Sequence, residues 1–125
     1  MVKSLKKNCE NFQDGKPFRE LLTRLADKWS VLTIITLCES SNNLMRFSEL
    51  KRAIPGISQR MLTATLRNLE KDGLLVRKVY PEVPPRVEYE ITKLGRSILE
   101  PMRGLVDWLE SNGPEIEKAR KRRAK

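Results

Sequence analysis

The chain has 125 residues, 33% of them charged and 39% apolar, which suits one helix-rich domain with a single core and excludes two independent ones. Its formal net charge is +9, a balance that favours a polyanion as partner. With no histidine and only two distant cysteines, Cys9 and Cys38, a Cys/His zinc site, a disulfide scaffold and histidine-based catalysis are excluded.

In chain order, residues 1–16 read as an N-terminal arm without the apolar segment of a secretion signal. Pro17 opens a first helix over Phe18 to Leu25, where Phe18, Leu21, Leu22 and Leu25 recur at i, i+3, i+4 and i+7 and form one apolar face for packing. The segment Asp27-Lys28-Trp29-Ser30 leads into VLTIITLCES, so apolar that a helix buried on most sides is expected, with Cys38 as a small core residue. Ser40–Asn43 is a polar turn and Leu44–Arg46 a brief strand. Ser48 is expected to cap a short helix over Glu49 to Ile54, stopped by Pro55-Gly56.

Ser58 is the next N-cap, before QRMLTATLRNLEKDG, with Gly73 as the C-terminal stop. At 100° per residue Leu62, Leu66 and Leu69 share the inner stripe of this helix. Arg60, Ala64, Arg67 and Lys71 project outward, with Gln59 and Thr63 at the edge. LLVRKVY and RVEYEI then alternate as two strands, with Val87, Tyr89 and Ile91 on one side of the second and Arg86, Glu88 and Glu90 on the other. Pro81, Pro84 and Pro85 stiffen the loop between them into a projecting tip. A last helix runs from Thr92 to about Leu109, with Ile98, Met102, Leu105 and Leu109 on a wide apolar face, a bend or break near Glu100 caused by Pro101, and a stop at Asn112-Gly113-Pro114. Residues 17–112 thus form the domain, and 113–125 a basic tail that is either a frayed helix or disordered.

The positive charge is localised. Residues 46–80 hold eight basic side chains against three acidic ones, and residues 115–125 six against two. A solvated face or a nucleic-acid surface would each produce this pattern. The order helix, tight turn, helix, hairpin is that of a winged helix-turn-helix, an α+β but mainly α architecture whose second helix enters the major groove. A protein-docking surface would need aromatic or apolar anchors on the outer helix face, and RNA binding would need an exposed stacking platform. No nucleophile motif or Gly-rich phosphate loop is present. A DNA-binding regulator without enzyme activity, cofactor or metal is expected, in the cytoplasm with reduced thiols and without a membrane-spanning segment.

The strings KWSVL (28–32), RFSEL (46–50), PGIS (55–58), MLTATLRNLEKDGL (61–74), VYPEVPPRVEY (79–89) and ITKLGRSIL (91–99) together resemble the HxlR-type winged helix-turn-helix regulators, within the MarR/ArsR-like superfamily. The resemblance runs from about residue 25 to 109. It implies a homodimeric repressor or activator on pseudo-palindromic operator DNA, its effector left open. It further implies a recognition helix from Ser58 to Asp72 with Gln59, Arg60, Thr63 and Arg67 at the groove, and phosphate contacts from Arg46, Ser48 and Ser58. A two- to three-stranded antiparallel wing would set Pro84, Pro85 and Arg86 at the minor groove. Arg86 also reads as a strand residue paired with Glu88 or Glu90. Flanking N- and C-terminal helices form the dimer in this family, which implies Leu105, Trp108 and Leu109 at the interface; burial of Trp108 within its own subunit is the alternative. Some members sense oxidants through an N-terminal cysteine followed by proline. Cys9 is the candidate for that role, although Glu10 follows it and Trp29 lies 20 residues on.

Overall fold

The computed structural model describes residues 16–124, in the order α1 (Lys16–Leu25), α2 (Lys28–Glu39), β1 (Leu44–Arg46), α3 (Phe47–Ala53), α4 (Gln59–Lys71), β2 (Leu75–Tyr80), β3 (Arg86–Ile91), α5 (Lys93–Ser97) and α6 (Leu99–Ala124). This is the mainly helical winged helix-turn-helix expected from the pattern.

The axis of the core is α2. Asp27 starts it, its Oδ2 accepting from the amides of Trp29 (3.1 Å) and Ser30 (3.2 Å) and so satisfying two of the helix's unpaired donors. Ile34 and Leu37 are fully buried, and against them pack Leu50 of α3, Leu62, Leu66 and Leu69 of α4, Leu75 and Ile91 of the sheet and Met102 of α6. Each such side chain contributes about 1.5–3 kcal/mol on burial. Cys38 packs at the edge of this cluster, half-buried, and burial pushes its thiol pKa up.

The sheet has the strand order β1–β3–β2, antiparallel throughout. In the β2–β3 register Leu75 faces Ile91, Arg77 faces Tyr89 and Val79 faces Val87, whereas Lys78 faces Glu88 and Tyr80 faces Arg86 on the other side of the pleat. Because Leu75 and Ile91 are buried, the pairs on their side continue outward from the core, and those on the opposite side point away from it. Residues 81–85 form the exposed tip.

Two local expectations are corrected and a third is sharpened. Ser48 is not the cap of α3. The helix begins two residues earlier, at Phe47, and Glu49 Oε1 accepts the Arg46 amide at 2.9 Å, a bond from inside the first turn back to the cap residue. The bend or break expected near Glu100 is a break, centred two residues earlier at Ile98. Having no N–H, Pro101 cannot donate to the Ser97 carbonyl, so α5 ends at Ser97 and α6 restarts at Leu99 with Pro101 in its first turn, where no donor is needed. Finally, Asn112-Gly113-Pro114 does not stop the helix, which continues to Ala124. The segment EIEKARKRRA is rich in strong helix formers, with Glu115 and Glu117 on the N-terminal side and Lys121, Arg122 and Arg123 in the last turn, where the helix dipole favours cations.

Candidate nucleic-acid interface

Both ends of α4 are closed. At the first, the Ser58 hydroxyl accepts from the Met61 amide at 3.0 Å, which leaves its own proton available to an external acceptor. At the second, Gly73 adopts φ +78°, so that its amide bonds the Glu70 carbonyl (3.0 Å) and the Leu74 amide bonds the Leu69 carbonyl (2.9 Å). Leu62, Leu66 and Leu69 hold the helix down, and the opposite side is free. There Gln59, Arg60, Thr63, Ala64 and Arg67 line an open shallow groove. The Thr63 hydroxyl bonds back to the Gln59 carbonyl at 2.8 Å.

Beside this groove lies a cleft of about 370 Å³ between α4 and the wing, lined by Thr63, Leu66, Arg67, Glu70, Arg77 and Tyr89. Arg60, Arg67 and Arg77 are exposed and form no ion pair among the described residues. Arg60 and Arg67 on the groove and Arg67 and Arg77 on the adjoining cleft, against the single carboxylate of Glu70, leave a net positive potential there. Arg77 is not among the contacts expected from the sequence. The signal for it is the strand alternation, which puts residue 77 on the same face as Leu75.

Arg46 and Ser48 are exposed at the start of α3, and Pro84 and Pro85 are exposed at the wing tip. Arg86 is placed otherwise. It sits on the outer face of the sheet, 4.2 Å from the Tyr80 ring, with Nη2 3.5 Å from Glu82 and Nε 3.9 Å from Glu88. The ion-pair alternative is therefore the arrangement found in the free chain, though with Glu82 in place of Glu90. Glu90 instead bonds Lys78 and holds that ammonium above the usual lysine range.

A further surface is apolar. Leu105, Trp108 and Leu109 are each about half exposed, and Ile116 extends the same stripe of α6. Burial of Trp108 inside its own subunit is not what the structure has. Nor is the first helix simply packing: Phe18, Leu21 and Leu22 remain exposed, and only Leu25 joins the core. Between α1 and α6 runs an apolar groove of about 280 Å³ lined by residues including Leu22, Val31, Met102 and Leu105. Cys9 lies outside the described residues. Among the described residues no group of His, Cys, Asp and Glu could hold a metal, and no helix is long and apolar enough to cross a membrane.

Residues 24–117 match the sequence profile of the HxlR-like helix-turn-helix family. The chain is 43% identical over 113 residues to the uncharacterized HTH-type transcriptional regulator YtfH of Escherichia coli K12, covering 90% of this chain and 87% of that one. The solved structure of the regulator ytfH from Salmonella typhimurium superposes with a TM-score of 0.75 at 40% identity, over 84% of this chain and 91% of that one. The redox regulator HypR in its reduced form superposes with a TM-score of 0.71 at 37% identity, over 82% and 99%.

Proposed function

The chain belongs to the HxlR-like helix-turn-helix family of transcriptional regulators, and from that premise we propose that it binds duplex DNA sequence-specifically, as a homodimer, at a pseudo-palindromic operator. The observation that carries the reading is the outer side of α4: four polar or cationic side chains, Gln59, Arg60, Thr63 and Arg67, exposed on a helix rigidly seated by its leucines. Arginine presents a rigid fork of donors that matches guanine O6 and N7 in the major groove, and glutamine pairs with adenine in the same way. In this reading Arg60 and Arg67 select bases. Arg46, Ser48 and Ser58 meet phosphates and set the register.

The wing would reach the flanking minor groove with Pro84 and Pro85, while Arg77 covers the backbone between wing and helix. Arg86 would have to leave Tyr80, Glu82 and Glu88 to take part, which makes Arg77 the stronger wing cation. The exposed faces of α1 and α6, with Leu105, Trp108 and Leu109 at the centre, supply the surface on which another copy of the chain would seat. Two copies related by a two-fold axis would then present their α4 helices to half-sites about one helical turn apart.

The test starts from random-sequence duplex DNA selected by the purified protein. We expect one sequence with inverted half-sites to be enriched, two chains to bind per duplex, and affinity to fall steeply with salt as phosphate counterions are released. Retention of all sequences alike would remove specificity from the reading, and one chain per duplex would remove the homodimer.

A further inference from the structure

The C-terminal end of α4 carries a residue that its own helix does not favour. Asp72 is the C-cap, which places a carboxylate at the negative end of the helix dipole. Its side chain is only 16% exposed, and it is held from a distant element: Arg24 of α1 donates from Nε to Oδ2 and from Nη2 to Oδ1, both at 3.0 Å. This is the bidentate geometry that fixes orientation as well as distance. The same point of the chain is gripped from the other side. The Thr92 hydroxyl donates to the Gly73 carbonyl at 2.7 Å, and the Thr92 amide to the Leu74 carbonyl at 3.0 Å. Gly95 lies so close that a Cβ there would stand 2.1 Å from the Leu74 oxygen.

Apolar packing of α1 near this joint is sparse: beside Leu25 runs a half-open groove of about 330 Å³, lined by Leu21, Leu25, Leu74 and Leu94 among others. Among the described residues the Arg24–Asp72 pair is the one ion pair from α1 to the rest of the fold. We infer that Arg24 is a positioning residue for DNA binding: through Asp72 it sets the pose of the recognition helix, so that the placement of α1, whose Leu21–Leu22 face is exposed, is read out at the DNA surface. The inference rests on the DNA-binding reading of α4.

Opposite charge changes separate positioning from electrostatics. Arg24→Gln removes a positive charge and Asp72→Asn removes a negative one, so a field effect would weaken DNA binding in the first and strengthen it in the other. We expect both to lower the preference for the selected duplex over random duplex about 5- to 20-fold, with the double variant no worse than either single one, because they break one interaction. Arg24→Lys should recover part of the preference. Affinity for random duplex should follow net charge alone. Losses that add in the double variant, opposite signs for the two single variants, or an unchanged preference in Arg24→Gln while Arg67→Ala abolishes it, would each overturn the positioning role and leave the DNA reading intact. A wild-type chain that selects no duplex would overturn both. If Arg24→Gln fails to fold, Asp72→Asn carries the test alone, since a field effect would strengthen its DNA binding whereas loss of positioning lowers its preference for the selected duplex.

Discussion

Helices α4 and α6 each bury one side in the same core and expose the other, and the two exposed sides are chemically opposite. On α4 the free side carries Gln59, Arg60, Thr63 and Arg67; on α6 it carries Leu105, Trp108 and Leu109. A guanidinium in water is well hydrated and needs no partner for the fold to be stable. Exposed apolar area is different, since each Å² removed from water contributes roughly 25 cal/mol. The cationic surface can therefore stay open until a ligand arrives, whereas the apolar one is driven towards another apolar face. In the proposed reading specificity and assembly are carried on separate helices joined through one core, and each should be removable without the other.

The largest expected effect lies on α6. Leu105→Glu with Trp108→Glu should raise the dimer dissociation constant by at least about 1000-fold, two central anchors being worth about 2 kcal/mol or more each. Light scattering would then show a 14.5 kDa species, and operator affinity would collapse with it. A dimer that persists would refute the assignment of that stripe. On α4, Arg60→Ala and Arg67→Ala should each cost about 1–3 kcal/mol of operator affinity, roughly 5- to 150-fold, with the dimer and the melting temperature unchanged. If either variant dissociated the dimer, the two surfaces would not be separable.

The wing sharpens the comparison at smaller scale. Arg77→Ala should weaken binding to all sequences about 3- to 10-fold and reduce the salt slope by about 1, the signature of a lost phosphate contact. For Arg86→Ala, by contrast, the expected change in DNA affinity is under about 2-fold, the loss appearing instead as about 0.5–1 kcal/mol of hairpin stability from the broken contact with Tyr80. Reversed results in a titration against random duplex would return the wing role to Arg86.

Those two arginines also mark where the sequence is legible and where it is not. The α4 face follows from helical period alone, because Leu62, Leu66 and Leu69 leave a single side for Arg60 and Arg67. Strand alternation likewise separates Tyr89 from Glu88 correctly. Which of two strand arginines stays free, however, depends on cross-strand neighbours: Arg86 is captured by Tyr80 and Glu82 across the hairpin, and no pattern within β3 reveals that. The capping of α3 escapes a reading of the sequence because Ser48 has the residue type of an N-cap, whereas the helix starts two residues before the expected Glu49 and Glu49 reaches back to the Arg46 amide. Pro101 and Pro114 both read as helix breakers. Only Pro101 acts so, since it falls where α5 is already tied to Leu74, whereas Pro114 is followed by a run of strong helix formers. The Arg24–Asp72 pair spans 48 residues and has no local signal at all.

The smallest prediction concerns a position on neither surface and supplies the baseline for the others. Thr33 is fully buried on α2, and its hydroxyl has no partner among the described residues. Thr36, one turn away, uses its hydroxyl to bond the Leu32 carbonyl. A buried donor without an acceptor costs about 1–3 kcal/mol, and valine keeps the branched shape while deleting it. Thr33→Val should therefore stabilise the chain by about 1 kcal/mol, a rise of about 4 °C in melting temperature, with dimerisation and operator affinity unchanged. Thr36→Val, which removes a bonded hydroxyl at a less buried site, should give no such rise. Were Thr33→Val to alter DNA binding, the core of α2 would couple the two surfaces, and the separation drawn between α4 and α6 would fail at its centre.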